Sequence, residues 1–282
     1  MGNANRIVRK ASLRIKGKDN VLSELSSDWI GVSENIAYFV RNIYLLPAMN
    51  ASLLTPPDFS KRPLVLAGII ISFSIFLLGS TLLTFLLKPA HLPEEATLFI
   101  SRIFFWLCLL AMVAYAAGIE RQQLLLWEEK KYDFGTYIVS VIALLLILLA
   151  GVTLLSQIEL SLGLLKKSSK LNGMVAVLRQ NKWLLVFTCL TAGVTEELIF
   201  RGYLIPRLQL FFKSPAASLV LSSLFFGLAH IGYGNIGQVI GPVFIGFIFA
   251  LYYQKYRNIK VLIVCHFLWD YLTLLVMTRG GH

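Results

Sequence analysis

The sequence predicts an all-α fold: a polytopic transmembrane helix bundle of about seven or eight helices, with its polar cavity in the C-terminal half. Three observations carry this. Of the 282 residues, 57% are hydrophobic and 15% charged, and the mean hydropathy is +0.71, an apolar excess beyond that of ordinary soluble domains. The apolar residues gather into runs long enough to cross about 30 Å of hydrocarbon as helices. Two adjacent carboxylates, Glu196 and Glu197, interrupt one of these runs, where each charge costs about 2.5–3.5 kcal/mol and so marks function.

Arg6, Arg9, Lys10, Arg14, Lys16 and Lys18 supply much of the net charge of +11. Lying ahead of the first apolar run, they predict a cytoplasmic N-terminus that also meets anionic lipid. The first twenty residues lack the apolar stretch of a signal peptide, and Arg6 stands where a myristoylation signal wants Ser or Thr. Val32, Ile36, Phe39, Val40 and Ile43 predict an amphipathic helix on the membrane surface or packed on the bundle. Residues 1–62 thus read as a basic cytoplasmic segment, 63–181 as N-terminal transmembrane helices and 182–282 as the functional core, with Pro47 to Pro63 as the linker.

Seven apolar runs follow, at 64–87, 98–118, 137–157, 183–205, 216–231, 237–253 and 261–277. The fifth and sixth are short, which predicts tilt, a break or re-entrance. Cys108, Cys189 and Cys265 fall in three different runs without ligand spacing and read as buried small hydrophobes. With the N-terminus inside and every run crossing, Arg207, Lys213, Lys255, Arg257 and Lys260 are cytoplasmic and the uncharged 232–236 lies outside, as the positive-inside rule asks. Lys166, Lys167, Lys170, Arg179 and Lys182 then fall outside against the rule. This conflict predicts that one segment before Trp183 is miscounted.

The polar residues of the C-terminal runs form a set: Glu196, Glu197, Arg201, His230, His266 and Asp270. Glu197 and Arg201, four apart, share a helix face and offset each other's burial. His266 and Asp270 are also four apart, so the carboxylate is placed to accept from the imidazole and fix its tautomer. Taking the cytoplasmic ends at Pro206, Pro215 and Ile259, Glu196 lies roughly 15 Å deep, His230 roughly 22 Å and His266 roughly 10 Å. A cavity opening to that side is expected. The other acidic pairs, Glu94-Glu95 and Glu128-Glu129, read as solvated surface charge.

These residues resemble the CAAX-processing and bacteriocin-processing (CPBP, or Abi) intramembrane proteases. T-E-E-L-I-F-R-G, with Glu196, Glu197 and Arg201, is similar to the family's E-E-x-x-x-R motif. S-S-L-F-F-G-L-A-H supplies Phe226 and His230 of F-x-x-x-H, and C-H-F-L-W-D supplies His266 and Asp270 of the third motif, in the family's order and each on its own helix. The resemblance covers roughly 183–277 and implies a membrane endopeptidase whose cavity is catalytic. It implies that Glu196 and His230 act on a water and that no acyl-enzyme forms; a glutamate in apolar surroundings suits a general base. His266, oriented by Asp270, would stabilise the oxyanion, Glu197 and Arg201 would hold the helix and its field, and Phe226 would pack at the wall.

The best-known eukaryotic members carry asparagine where Asp270 stands. A carboxylate does not donate unless protonated, which makes Asp270 an orienting acceptor. Glu196, His230 and His266 would make a Glu-His-His zinc set with an open fourth position, but no H-E-x-x-H accompanies it, so metal-free water activation is favoured. The implied partners are a peptide or protein substrate, free or membrane-bound, and the lipid bilayer, with no nucleic acid; the implied location is a bacterial cytoplasmic membrane. Buried Glu and His also suit a proton-coupled transporter, and the same cavity suits a non-catalytic peptide-binding or immunity protein.

Overall fold

A computed structural model describes residues 62–164 and 168–279. Every regular element among them is helical. Helix α1 is Arg62–Leu87, and α2 is Glu94–Ala114, with Glu94 and Glu95 in its first turn, where the helix dipole favours anions. A π-helical turn, Tyr115–Glu120, prolongs α2. Asp133 caps α3, Phe134–Ser161, and Ser168 caps the short α4, Ser169–Gln180. Asn181 caps α5, Lys182–Glu196, which passes through a π-helical turn, Glu197–Leu204, into α6, Ile205–Phe212. Helices α7, Pro215–Leu228, α8, Gly237–Tyr256, and α9, Ile259–Arg279, complete the chain.

Among the described residues six helical stretches are long and apolar enough to cross a membrane, and α1 makes a seventh if its two halves, bent by 47°, count as one span. The chain is therefore a multi-pass membrane protein. The expected runs are all present, but 183–205 extends to Phe212, and 216–231 ends its α-helix at Leu228. Pro63, placed at the end of the linker, lies in the first turn of α1, which begins at Arg62. The amphipathic helix expected around Val32 to Ile43 lies outside the described residues.

Contacts at the helix ends order the bundle. At one end the Tyr115 hydroxyl donates to Leu64, Arg207 meets Glu120, and Lys130 donates to the Arg257 carbonyl. At the other, Asn181 meets Glu95 and the Ser168 hydroxyl donates to the Tyr233 carbonyl. The six spans each join one end to the other, and the count turns on α1, before Trp183, whose two bent halves add a seventh crossing only as one span. The basic connection holds α4, whose 12 residues are too few to cross. Its Val175 and Leu178 pack with Leu184, Leu185 and Leu274 at that end.

The helix carrying the paired glutamates is the central one. Of its apolar window 61% is buried, against 11–33% for the other five spans. Ile199, Phe200, Tyr203, Leu204 and Leu208 pack with Ile69 and Phe76 of α1, Leu109 and Met112 of α2, Ala116 of the π-helical turn that prolongs it, and Phe226 of α7. Glu196 and Glu197 are thereby turned toward protein rather than lipid, which lowers the cost of holding charge at that depth.

The segment between α2 and α3 clamps the turn between α8 and α9. Tyr253 donates to Glu129 Oε1 at 2.9 Å, and the Ile259 backbone N–H donates to Oε2 at 2.6 Å, which caps α9. Glu129 is thus a half-buried cap, not the solvated charge expected of it, and burial pushes its carboxyl above the ordinary value against the pull of these two bonds. Glu94, Glu95 and Glu128 are exposed, as expected.

Candidate active site

Two local features set the site. Pro206 lacks an N–H and its ring crowds the carbonyl four residues earlier; the π-helical widening at Glu197–Leu204 accommodates this and falls on the E-E-x-x-x-R motif itself. One turn before Glu197, a Cβ on Gly193 would stand 3.0 Å from the Ile263 carbonyl oxygen and 3.1 Å from the Phe267 nitrogen. The absence of that atom lets α5 and α9 approach backbone to backbone, which brings the glutamates beside His266.

Glu197 is fully buried and its Oε1 is shared. Arg201 Nη1 and His266 Nδ1 each donate to it at 2.7 Å. Arg201 also donates to the Gly246 carbonyl at 3.3 Å and lies over the rings of Phe226 and Phe249, at 4.4 and 5.3 Å. With Nδ1 committed, His266 turns Nε2 toward two further acids, Glu196 Oε2 at 4.0 Å and Asp270 Oδ2 at 3.6 Å. Glu196 Oε2 and Glu197 Oε2 are buried without a hydrogen-bond partner, the condition that marks a strained or reactive site.

His230 stands at the edge of this group. Its Nδ1–H donates to the Phe226 carbonyl at 2.9 Å, which leaves Nε2 as the acceptor in the neutral ring. The Phe226 ring lies 5.1 Å from His230 and 6.0 Å from His266, centroid to centroid, and so stands beside both imidazoles. Asp270 lies within Coulomb reach of His230.

The structure brings Glu196, Glu197, Arg201, Phe226, His266 and Asp270 together, with His230 one ring away, and it departs from expectation in one respect. Glu197, not Asp270, holds His266: the approach at Gly193 puts Glu197 on Nδ1, whereas Asp270 stays beyond hydrogen-bond distance of Nε2. Among the described residues no three His, Cys, Asp or Glu side chains are placed to hold one ion. On the side toward Pro206, Pro215 and Ile259, Arg201 is buried. Asp270, with 28% of its side chain exposed, and His230 lie toward the opposite end, because His230 terminates α7 there.

Two further features went unread in the sequence. Tyr233 lies within Coulomb reach of Glu196, Asp270 and Arg102 together. Arg207, assigned to a connection, is buried: Nε and Nη2 both donate to Glu120 Oε2, at 2.8 and 2.6 Å, and the remaining N–H groups reach the Gln123, Leu124 and Tyr203 carbonyls. Tyr203 donates to Glu120 Oε1 at 2.6 Å. Every donor is met, so this second pair is a clamp and not a reactive group.

Residues 179–272 match the family model described as type II CAAX prenyl endopeptidase Rce1-like. The chain carries an Rce1-like domain. All seven residues of the three motifs fall inside the matched stretch, with Asp270 two residues from its end. The Rce1-like family is one of CAAX proteases, so the enzyme class is that of a peptide hydrolase and the broad activity that of a CAAX-type intramembrane endopeptidase. Neither the curated proteins nor the solved structures contain a match to the chain.

Proposed function

We propose that the Rce1-like domain hydrolyses a peptide bond of a peptide or membrane-associated protein with a water activated by Glu196 and His230. The observation that carries this reading is Glu196 Oε2, buried and unpartnered 4.0 Å from His266 Nε2. A gap of that size between two polar atoms suits one bridging oxygen. Glu196 takes a proton from the water, His230 Nε2 accepts the water's other proton as a hydrogen bond, and the hydroxide attacks the carbonyl carbon. His266, held through Nδ1 by Glu197, donates from Nε2 to the oxyanion when protonated. The proton on Glu196 then passes to the departing amine, and the C–N bond breaks without an acyl-enzyme. Arg201 offsets the negative charge of the three carboxylates. No step runs through a metal.

The test uses purified full-length protein in nanodiscs and a quenched-fluorescent prenylated C-a-a-X peptide. Glu196→Gln and His230→Ala are each expected to lower kcat by about 10²–10⁴-fold with unchanged thermal unfolding. Cleavage undiminished in both variants removes the assignment.

A further inference from the structure

Arg102 belongs to α2, outside the matched residues, and the chemistry above does not use it. Helices α2 and α5 run in the same direction: Asn181 meets Glu95, Phe99 lies 5.6 Å from Phe187, and Trp106 Nε1 donates to Thr191 at 3.0 Å. Interpolated between these pairs, Arg102 is level with residues 187–190, inside a membrane-crossing stretch. Glu196 lies further along by about 9–14 Å at 1.5 Å rise per residue. Tyr233 is within Coulomb reach of Arg102, Glu196 and Asp270, and Cys189 within reach of Arg102 and Asp270. The guanidinium therefore shares its surroundings with the acids of the site.

An arginine at membrane depth takes a counter-charge or reaches for the headgroups. Arg102 is half-buried, and among the described residues no carboxylate stands within ion-pair distance of it. Its contacts are the adjacent Ser101 hydroxyl, 3.2 Å from Nε and Nη2, and the Phe105 ring at 5.3 Å. These leave most of the donor fork and the charge itself unanswered.

Resting on the peptidase reading, we propose that Arg102 is a positioning residue that takes the C-terminal carboxylate of the substrate peptide. A guanidinium fork matches a carboxylate in two parallel bonds. The interval from Arg102 to Glu196 is spanned by about three or four extended residues at 3.3–3.6 Å each. The contact thus measures the distance from the chain end to the bond that is cut.

The experiment compares a prenylated C-a-a-X peptide ending in a free carboxylate with its C-terminal amide. It reads kcat and KM for the wild type, Arg102→Gln and Arg102→Lys, and also peptide binding to the uncleaving Glu196→Gln protein with and without Arg102→Gln. The wild type is expected to favour the acid by about 10–100-fold, mostly in KM, as for hydrogen bonds to a charged group. That preference falls to near one in Arg102→Gln and is partly kept in Arg102→Lys. Equal handling of acid and amide by the wild type, or a preference that survives Arg102→Gln, overturns the proposal. Arg102-dependent binding of the acid without cleavage by the wild type leaves the proposal standing and removes the hydrolytic reading; cleavage without acid preference does the reverse.

Discussion

Glu197→Ala leaves Arg201 buried with its nearest counter-charge removed. Breaking a buried pair by deleting one partner costs about 3–5 kcal/mol. Arg201 keeps Glu196 within Coulomb reach, the Gly246 carbonyl and two aromatic rings, which favours the lower end. His266 Nδ1–H loses its acceptor as well, adding about 1–3 kcal/mol for a buried donor left unmet. The sum, about 4–6 kcal/mol, is a large share of the 5–15 kcal/mol that separates folded from unfolded states. Unfolding in mixed micelles by added SDS, followed by tryptophan fluorescence, measures it. The double variant Glu197→Leu with Arg201→Met replaces the pair with apolar side chains and is expected to return within about 1 kcal/mol of the wild type. Cleavage stays lost in it, because nothing then orients His266. Glu197→Ala unfolding like the wild type, or a double variant no more stable than either single, refutes the reasoning.

Asp270→Asn is expected to keep kcat/KM within about tenfold of the wild type, because Asp270 is too far from His266 to fix its tautomer; loss comparable to that of Glu196→Gln would return the orienting role to Asp270. Gly193→Leu forces α5 from α9 at the Ile263 and Phe267 backbone, with an expected loss of about 1–3 kcal/mol in the same unfolding assay and most of the cleavage. Glu129 carries a raised carboxyl pKa in the folded state, so the folded protein holds its proton more tightly than the unfolded chain. Stability from this group is complete below the ordinary value of 4.5 and declines as pH rises through the folded value. Glu129→Gln is expected to flatten that decline in unfolding measured against pH, and an unchanged slope counts against it. Since no three ligand side chains converge among the described residues, dialysis against a chelator is expected to leave cleavage within about twofold; loss restored by zinc would reveal a rearranged ligand set.

The membrane-crossing runs were legible because hydrocarbon thickness demands long apolar helices, and the order of the motifs pointed to Glu196, Glu197, Arg201, His230, His266 and Asp270 as one group. Spacing within a helix, however, reports only which residues share a face. It paired His266 with Asp270 through their four-residue interval, while the actual partner, Glu197, comes from another helix through the contact at Gly193. The depth reckoning set His230 apart from the others, and in the structure it reaches the group through the Phe226 ring, 5.1 Å away. Arg207 illustrates a further limit. Its sequence neighbours resemble those of a surface cation, and its burial follows from Glu120, 87 positions earlier.

The convergence of Arg207 Nε and Nη2 on one oxygen of Glu120 has an implication for dissecting this enzyme. Arg207 belongs to the matched stretch, whereas Glu120 and the carbonyls of Gln123 and Leu124 precede it by more than fifty residues. A fragment excised at residue 179 would leave this guanidinium with only the Tyr203 carbonyl to answer it. The leading helices are therefore indispensable scaffolding for the motif-bearing third, and a swap of that third between homologous chains must carry an acid at the place of Glu120.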